Sequence, residues 1–266
     1  MNCIALTIAG SDPGGGAGIQ ADLKTFHQFG VYGTSVVTLV TVQNTVRTSR
    51  VEVLDASLVG EQIDAVFEDL APHAVKTGAL GSAAIIEAMV TLKFDCPVVV
   101  DPVMIGKHGA RLMDSDARSA MRRLLLPRAT LITPNLDEAA ELAGIEVNDP
   151  DSMREAARRI ADLGARSVLV KGGHLKGEAI DILWHEGNFT EFSAPRLDTR
   201  HTHGTGCAYS AAIAACLARG MSLPESVGKA KDFVHEAIRT APGFGKGSGP
   251  LNFLANPAAA PKSRPL

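Results

Sequence analysis

A glycine-rich segment follows the first predicted strand and opens a helix, where a backbone can approach a ligand closely. It spans residues 9–22 and reads AGSDPGGGAGIQAD. Glycine permits such an approach because it carries no side chain. Read from Gly16, the segment meets a looser dinucleotide-binding pattern, but no acidic residue closes a second strand at the expected distance. A Walker A loop is excluded, since no Gly-Lys-Ser/Thr occurs. A plain flexible βα loop remains the alternative.

A second glycine-containing segment, HGTGC at residues 203–207, precedes a helix of small residues. Unpaired N–H groups at a helix start, together with the helix dipole, form an anion site. Phosphoryl transfer depends mainly on positioning and electrostatic stabilisation, which such N–H groups supply. The alternative is a helix start whose glycines only allow tight packing.

Two further polar groups follow predicted strands. Asn135 and Glu138 lie just after the strand at 131–133 and could hold Mg²⁺ through water. The alternative is an ordinary helix cap with acidic residues in its first turn. Lys171 precedes Gly172, Gly173 and His174 and could neutralise a nucleotide phosphate, or could simply be an exposed lysine.

In chain order, these segments resemble the bacterial hydroxymethylpyrimidine/phosphomethylpyrimidine kinases of thiamin biosynthesis. The resemblance runs from about residue 4 to 251 and rests on residues 9–22, TVQNT at 41–45, DPVM at 101–104, TPNLDE at 133–138, KGGH at 171–174 and THGTGC at 202–207. It implies a ribokinase-like fold, usually in a homodimer. It also implies MgATP-dependent phosphorylation of 4-amino-5-hydroxymethyl-2-methylpyrimidine to its monophosphate and then to the pyrophosphate.

The resemblance also implies roles for individual residues. Substrate contacts are expected from Gln43, Gly10 and Asp22, and a Gln amide offers a pyrimidine edge both a donor and an acceptor. Asp101 and Glu138 are expected near the metal, Lys171, Asn135 and Glu138 near the nucleotide phosphates, and Gly204, Thr205 and Gly206 in the anion hole.

Cys207 occupies the position at which ribokinase-type sugar kinases carry an aspartate base. A thiol at a helix N-terminus can have its pKa lowered well below about 8.5, and could then accept the hydroxymethyl proton. It could equally hold the hydroxyl by a weak hydrogen bond. Gly14 and the pair Ala208-Tyr209 depart from the residues more usual in the family, which affects local loop contacts and not the reaction.

The segment 105–111, IGKHGAR, has two glycines, three basic residues and little apolar content. We predict that it is a lid that closes over the site, and that Lys107 meets the substrate phosphate. A plain exposed loop is the alternative.

Three other activities compete with this interpretation. Pyridoxal kinase shares the fold, the Gly-Thr-Gly-Cys loop and a flat ring bearing a hydroxymethyl group; the context of Gln43, Asn44 and Thr45 favours the pyrimidine. A sugar kinase is disfavoured because the aspartate base is missing. A non-catalytic pyrimidine sensor on the same fold is disfavoured by the intact anion-hole and magnesium motifs.

The elements that position these residues alternate between short apolar strands and amphipathic helices. Strands are predicted at 3–8, 35–40, 74–77, 98–101, 131–133 and 167–171, with a hairpin in 179–195. Helices are predicted after 18, around 58–70, after Ser152 as N-cap, at 116–126, and at 206–219 and 223–240. This alternation predicts an α/β fold with a central, mostly parallel sheet and helices on both faces.

The 266 residues suit one large domain, predicted over 1–254, with an Ala/Pro-rich tail at 255–266 predicted to be disordered. The net charge of −3 lacks a basic block, so neither nucleic acid nor a membrane is expected as a partner. The cysteines Cys3, Cys96, Cys207 and Cys216 form no C-x-x-C pair, and we expect a cytoplasmic protein.

Overall fold

One sheet runs through the centre of the protein in the computed structural model, which describes residues 3–92, 94–173, 175 and 177–256. Within these residues the sheet has nine strands. They are β1 (Ile4–Ser11), β2 (Tyr32–Gln43), β3 (Thr48–Val53), β4 (Ala74–Thr77), β5 (Val98–Val100), β6 (Leu131–Ile132), β7 (Ser167–Lys171), β8 (Ala179–His185) and β9 (Asn188–Ala194).

The strand order across the sheet is β3-β2-β1-β4-β5-β6-β7-β8-β9. The six strands from β2 to β7 in this order run parallel, whereas β3, β8 and β9 pair antiparallel with their neighbours. Parallel strands place their carboxyl ends at one edge, where α/β proteins bind ligands. The predicted α/β fold with a mostly parallel sheet is confirmed.

The predicted hairpin is β8 and β9, joined at Glu186 and Gly187. Both turn residues have positive φ, 50° and 79°. Such a two-residue turn matches the twist of the strands it joins, and glycine adopts its second position at little cost.

Two layers of helices cover the sheet. α1 (Gly18–Gln28), α7 (Thr205–Ala218) and α8 (Leu223–Arg239) pack on one face. The other face carries α2 (Ala56–Asp69), α3 (Ala83–Val90), α4 (Ser115–Ala120), α5 (Leu136–Ala143) and α6 (Pro150–Asp162). Successive residues of the strands alternate between the two cores, as a pleated strand requires; Ala5 and Leu6 are one such pair.

The predicted start of α6 was wrong. Asp149, not Ser152, is the N-cap: its carboxylate accepts from the N–H of Ser152, at 2.7 Å. Pro150 occupies the first helical position, where its missing N–H costs nothing. Ser152 completes a capping box by accepting from the N–H of Asp149, at 3.1 Å.

The predicted single helix over 116–126 is also wrong in part. It is α-helical only over Ser115–Ala120, continues as a π-helical turn over Met121–Leu125 and ends in a 3₁₀ turn at Leu126–Arg128. Pro127 lacks the N–H that a regular α-helix would need, so the hydrogen-bond pattern changes around it.

The described residues include the first two of the predicted tail, Ala255 and Asn256. Ala255 is buried, and its carbonyl accepts a hydrogen bond of 2.9 Å from Nε2 of Gln28. The rest of the predicted tail, 257–266, and His174 lie outside the described residues. Among the described residues, no helix combines the length and the apolar character needed to cross a bilayer.

Candidate active site

A cavity of about 610 Å³ opens at the carboxyl edge of the sheet. That volume lies within the usual range for small-molecule sites. Residues at or just past the carboxyl ends of β1, β2, β4, β5, β6 and β7 line it, together with the first turn of α7 and part of α8. All of the predicted site residues except Asp22 line the cavity. They are Gly10, Gln43, Asp101, Lys107, Asn135, Glu138, Lys171, Gly204, Thr205, Gly206 and Cys207.

Gln43, the last residue of β2, lies at one end of the cavity. Its Oε1 accepts from Oγ1 of Thr48, at 2.7 Å. Its Nε2 lies 3.4 Å from Nε2 of His203. These contacts, with the hydrogen bond from Gln43 to Asp12, orient the amide and leave one acceptor lone pair of Oε1 for a ligand.

Asp12 ties the first glycine-rich loop to the segment before α7. Its carboxylate accepts from the N–H groups of Gly14, Gly16 and Ala17 at 2.8–3.1 Å and lies 2.9 Å from Nε2 of His203. Burial raises the pKa of Asp12, but the hydrogen bonds from His203, Gln43 and Gly14 outweigh it and lower the pKa to about 2. We did not predict this role for Asp12 from the sequence.

The first turn of α7 presents backbone N–H groups to the cavity. The helix begins after Gly204, whose φ is 85°. A Cβ there would lie 1.7 Å from the carbonyl oxygen of Gly16, so this position requires glycine. The helical ladder begins with the N–H of Ala208, bonded to the carbonyl of Gly204 at 2.8 Å. The N–H groups of Gly206 and Cys207 lie ahead of that ladder, as an anion site requires.

Cys207 is partly exposed to the cavity. The expected lowering of its thiol pKa is wrong for the ligand-free protein. Burial raises the pKa of Cys207 to about 11, and the carboxylates of Asp22 and Asp101 add to the rise; the charge of Lys76 and the N–H of Gly18 oppose it.

Asp22 lies beneath the cavity in an ion pair with Lys76. Nζ of Lys76 is 2.8 Å from Oδ2 of Asp22, and neither side chain has any exposed surface. Oγ1 of Thr7 also donates to Oδ2 of Asp22, at 2.6 Å. Lys76 itself lines the cavity. Lys76 was not predicted from the sequence, although a lysine inside the short apolar strand at 74–77 was a signal for it.

A second ion pair lies on the opposite side of the α7 start. Nζ of Lys171 is 2.9 Å from Oδ1 of Asp101, and Oγ1 of Thr133 donates to the same oxygen, at 3.2 Å. Burial lowers the pKa of Lys171, but the charges of Asp101 and Glu138 raise it overall. In the absence of a ligand, the charges of Lys171 and Asp101 neutralise each other.

Asn135 and Glu138 form the capping box of α5. The Asn135 side chain accepts from the N–H of Glu138, at 2.9 Å, and the Glu138 carboxylate accepts from the N–H of Asn135, at 2.8 Å. The alternative of an ordinary helix cap is therefore realised, although Glu138 still lines the cavity. Burial raises the pKa of Glu138 to about 7; Asp101 adds to the rise, and Lys171 opposes it.

No group of three or more His, Cys, Asp or Glu side chains within the described part of the chain is arranged to hold a metal ion. Two carboxylates, Asp101 and Glu138, nevertheless line the same cavity. Carboxylate oxygens suit Mg²⁺, which usually keeps several waters and takes further ligands from substrate phosphates. The donor set fits a magnesium ion that arrives with a nucleotide.

The far end of the cavity lies between β8, β9 and α8. Asp181 accepts from Nζ of Lys231, at 2.7 Å, and from the N–H of Gly172, at 3.0 Å. Nε2 of His235 is buried without a hydrogen-bond partner among the described residues. This end extends the cavity beyond the α7 start, away from Gln43.

The segment 105–111 is folded against the cavity mouth. A bridge between Ile105 and Arg111 closes it, and Nζ of Lys107 donates to Oγ1 of Thr202, at 3.1 Å. The ring of His108 stacks on that of His203 with centroids 6.4 Å apart. The position agrees with the predicted lid, and its movement remains a prediction.

Comparison with known proteins gives one consistent result. The profile of the family described as phosphomethylpyrimidine kinase matches residues 12–252. A hydroxymethylpyrimidine/phosphomethylpyrimidine kinase of Staphylococcus aureus is 44% identical over 261 residues, covering 95% of this chain and 94% of that protein. The thiamine biosynthesis bifunctional protein ThiED of Geobacter sulfurreducens is 49% identical over 253 residues; the chain spans only 52% of its length.

Solved structures give the same picture. The phosphomethylpyrimidine kinase of Clostridium difficile is 44% identical with a TM-score of 0.79, covering 89% of this chain and 100% of that one. The pyridoxal kinase of Staphylococcus aureus, in complex with AMP-PCP and pyridoxal, is 33% identical with a TM-score of 0.88, covering 99% of each chain.

Proposed function

The chain belongs to the phosphomethylpyrimidine kinase family, and on that premise we propose that it phosphorylates 4-amino-5-hydroxymethyl-2-methylpyrimidine twice, using ATP, in thiamin biosynthesis. The observation that carries the proposal is that Gln43 and the first turn of α7 line one cavity. A pyrimidine held at Gln43 can then direct its hydroxymethyl group towards the anion site.

Different parts of the cavity bind the pyrimidine and stabilise the transferring phosphoryl group. Gln43 and Gly10 hold the pyrimidine, and Asp22 acts on it through Lys76. The backbone of Gly204, Thr205 and Gly206 stabilises the transferring phosphoryl group. Cys207 accepts the hydroxymethyl proton.

The nucleotide extends from the α7 start towards α8. Lys171 and Asn135 meet its phosphates, and Lys171 must exchange its contact with Asp101 for a phosphate oxygen. Asp101 and Glu138 would hold Mg²⁺. When bound, the ion neutralises charge on the phosphates. These assignments are supported by the shared cavity and by the resemblance of the motifs.

Product analysis tests the function directly. Purified protein with hydroxymethylpyrimidine and MgATP should form the monophosphate and then the pyrophosphate. Separating the nucleotide and pyrimidine products over time distinguishes the two steps. Accumulation of monophosphate without any pyrophosphate would reduce the enzyme to a one-step kinase, and no pyrimidine product would refute the function.

A side activity on pyridoxal is favoured by the likeness to the S. aureus pyridoxal kinase. Pyridoxal also carries a hydroxymethyl group on a flat ring. The same assay with pyridoxal as competitor measures the preference. Because the family is one of kinases, a sensor without catalysis is not favoured.

We place the enzyme in the cytoplasm as a homodimer. The hairpin of β2 and β3 supports the dimer, because the face of β2 turned away from the cavity exposes Val40 by 42% and Val42 by 56%, and Val46 in the turn is exposed by 58%. Gln43 and Thr41 point to the opposite, cavity side. A second copy covering these valines would remove apolar surface from water. The mass in solution, measured by light scattering, tests this.

A further inference from the structure

Lys76 is a charged residue inside the central sheet. It is the third residue of β4, opposite Thr7 of β1, and all four residues of that strand are buried. Its side chain has no exposed surface. Burial lowers the pKa of Lys76, but interactions with Asp22, Cys207 and Asp101 outweigh it and raise the pKa, so the group is an ammonium ion.

Stability does not account for this ammonium. Desolvating two charges costs about as much as their attraction returns, and an apolar pair of similar volume often serves as well or better. Ala74 and Val99, which lie on the same face of the sheet as Lys76, belong to the apolar core on that side. A buried ion pair in the wall of a ligand cavity is therefore a candidate for a functional role.

The ammonium also has unused donors. Lys76 carries three N–H bonds, and its one hydrogen bond among the described residues goes to Oδ2 of Asp22. Lys76 lines the cavity with Gly78, and a Cβ on Gly78 would lie 2.9 Å from Nζ. Gly78 has no side chain to separate Nζ from the cavity, but Nζ has no exposed surface, so a ligand atom contacts Nζ only when the cavity wall shifts slightly. Cys207, whose pKa the ammonium lowers, lines the same cavity.

We propose that Lys76 is a catalytic residue, whose ammonium donates a hydrogen bond to the oxygen of the hydroxymethyl group that is phosphorylated. This rests on the proposed function. In the step, the hydroxyl oxygen forms a bond to the γ-phosphorus while the bond from phosphorus to the bridging oxygen of ADP breaks. The hydroxyl proton passes to the Cys207 thiolate, and Lys76 keeps its protons while it stabilises the negative charge on the attacking oxygen. Asp22 holds the ammonium in place.

The test uses two ligands that differ by one oxygen. They are hydroxymethylpyrimidine and the analogue with a methyl group in place of the hydroxymethyl group. Calorimetric titration gives the affinity of each for the wild-type protein and for Lys76→Met. Lys24→Met is the matched control, since it makes the same change in a lysine of α1 that contacts Gly15 outside the cavity lining.

We expect the wild-type protein and Lys24→Met to prefer the hydroxyl ligand. Lys76→Met should lose at least tenfold of that preference while binding the methyl analogue within threefold of wild type. Its turnover should fall at least 100-fold. Unchanged preference in Lys76→Met would overturn the proposal, because a purely structural lysine would weaken both ligands alike.

Lys76→Met leaves the buried Asp22 carboxylate unpaired, and this variant can fail to fold. A second pair of variants then tests the proposal. Asp22→Asn/Lys76→Met removes both charges, and its preference is compared with that of Asp22→Asn. Equal preference in these two variants overturns the proposal, and a tenfold difference supports it. A wild-type protein that neither binds nor phosphorylates the pyrimidine would instead refute the proposed function.

Discussion

Nε2 of His203 lies 2.9 Å from Oδ2 of Asp12, and this contact joins residues 191 positions apart with side chains only 7% and 4% exposed. We expect His203→Leu to lower the free energy of unfolding by about 1–3 kcal/mol, because the buried carboxylate loses a partner. Urea denaturation measures the change. His201→Leu is the control, since Nδ1 of His201 has no partner among the described residues. Equal effects of the two substitutions would show that the contact adds nothing.

Cys207 should give the reaction an alkaline pH dependence. A base with a pKa of about 11 is mostly protonated at neutral pH, and its active form increases as the pH rises. We therefore expect kcat/KM for the pyrimidine to rise between pH 7 and pH 9 in the wild-type enzyme. Cys207→Ala should reduce turnover by about 10²–10⁴ and flatten the profile. Cys207→Asp should recover part of the activity, because a carboxylate is already ionised. Near-normal turnover of the alanine variant would leave the backbone N–H groups as the main catalysts.

Gln43→Leu keeps the volume of the side chain but removes its donor and acceptor. The expected loss is about 1–3 kcal/mol in pyrimidine recognition, seen in KM, with little change in the KM for ATP. Thr48→Val should give a smaller loss of the same kind, because Thr48 only orients the amide. Thr48→Ser keeps the hydroxyl and serves as its control. Equal weakening of ATP and pyrimidine binding by Gln43→Leu would assign that residue a structural role.

Glu138 should make the ligand-free protein less stable as the pH rises. Its pKa of about 7 lies above the ordinary value of 4.5, so between these values the folded state keeps a proton that the unfolded state releases. Stability from this group is therefore complete below pH 4.5 and lost by about pH 7. Without metal or nucleotide, Glu138→Gln should be more stable than wild type at pH 8, on the order of 1–3 kcal/mol.

The difference in the free energy of unfolding between Glu138→Gln and wild type should be smaller at pH 5 than at pH 8, as measured by urea denaturation. Glu141→Gln, an exposed change in the same helix, is the control. A pH-independent difference would show that Glu138 is ionised throughout this range.

Lys107 should matter more for the second phosphorylation than for the first. Its ammonium contacts Thr202 at the cavity mouth, where it can exchange that hydroxyl for a substrate phosphate. We expect Lys107→Ala to raise KM for the monophosphate about tenfold while KM for hydroxymethylpyrimidine changes little. Steady-state kinetics with each substrate measures this. Normal use of the monophosphate would reduce the segment 105–111 to a surface loop.

The sequence was sufficient for the family, the α/β class and most strands, because buried parallel strands read as short apolar runs between turn residues. β3 was not predicted, because its residues, TSRVEV, are half-polar and lie at the sheet edge. α3 was not predicted as a separate helix. Apart from Asp22, the site residues predicted from the motifs line the cavity, whereas Lys76 and Asp12 were not predicted. The motifs did not predict the Asp22–Lys76 or Asp12–His203 pairs, since each joins segments far apart in sequence.

The close approach of Gly204 to Gly16 has a consequence for synthesis of the protein on the ribosome. The glycine-rich loop in residues 9–22 can contact residues 203–206 only after those residues have been synthesised. The N–H of His203 in turn donates a hydrogen bond to the carbonyl of Gly249. A nascent chain can therefore form the parallel strands early, while its glycine-rich loop stays without support. Emergence of the last quarter of the chain completes the binding site, so premature termination there leaves a nearly full-length polypeptide with an unassembled site.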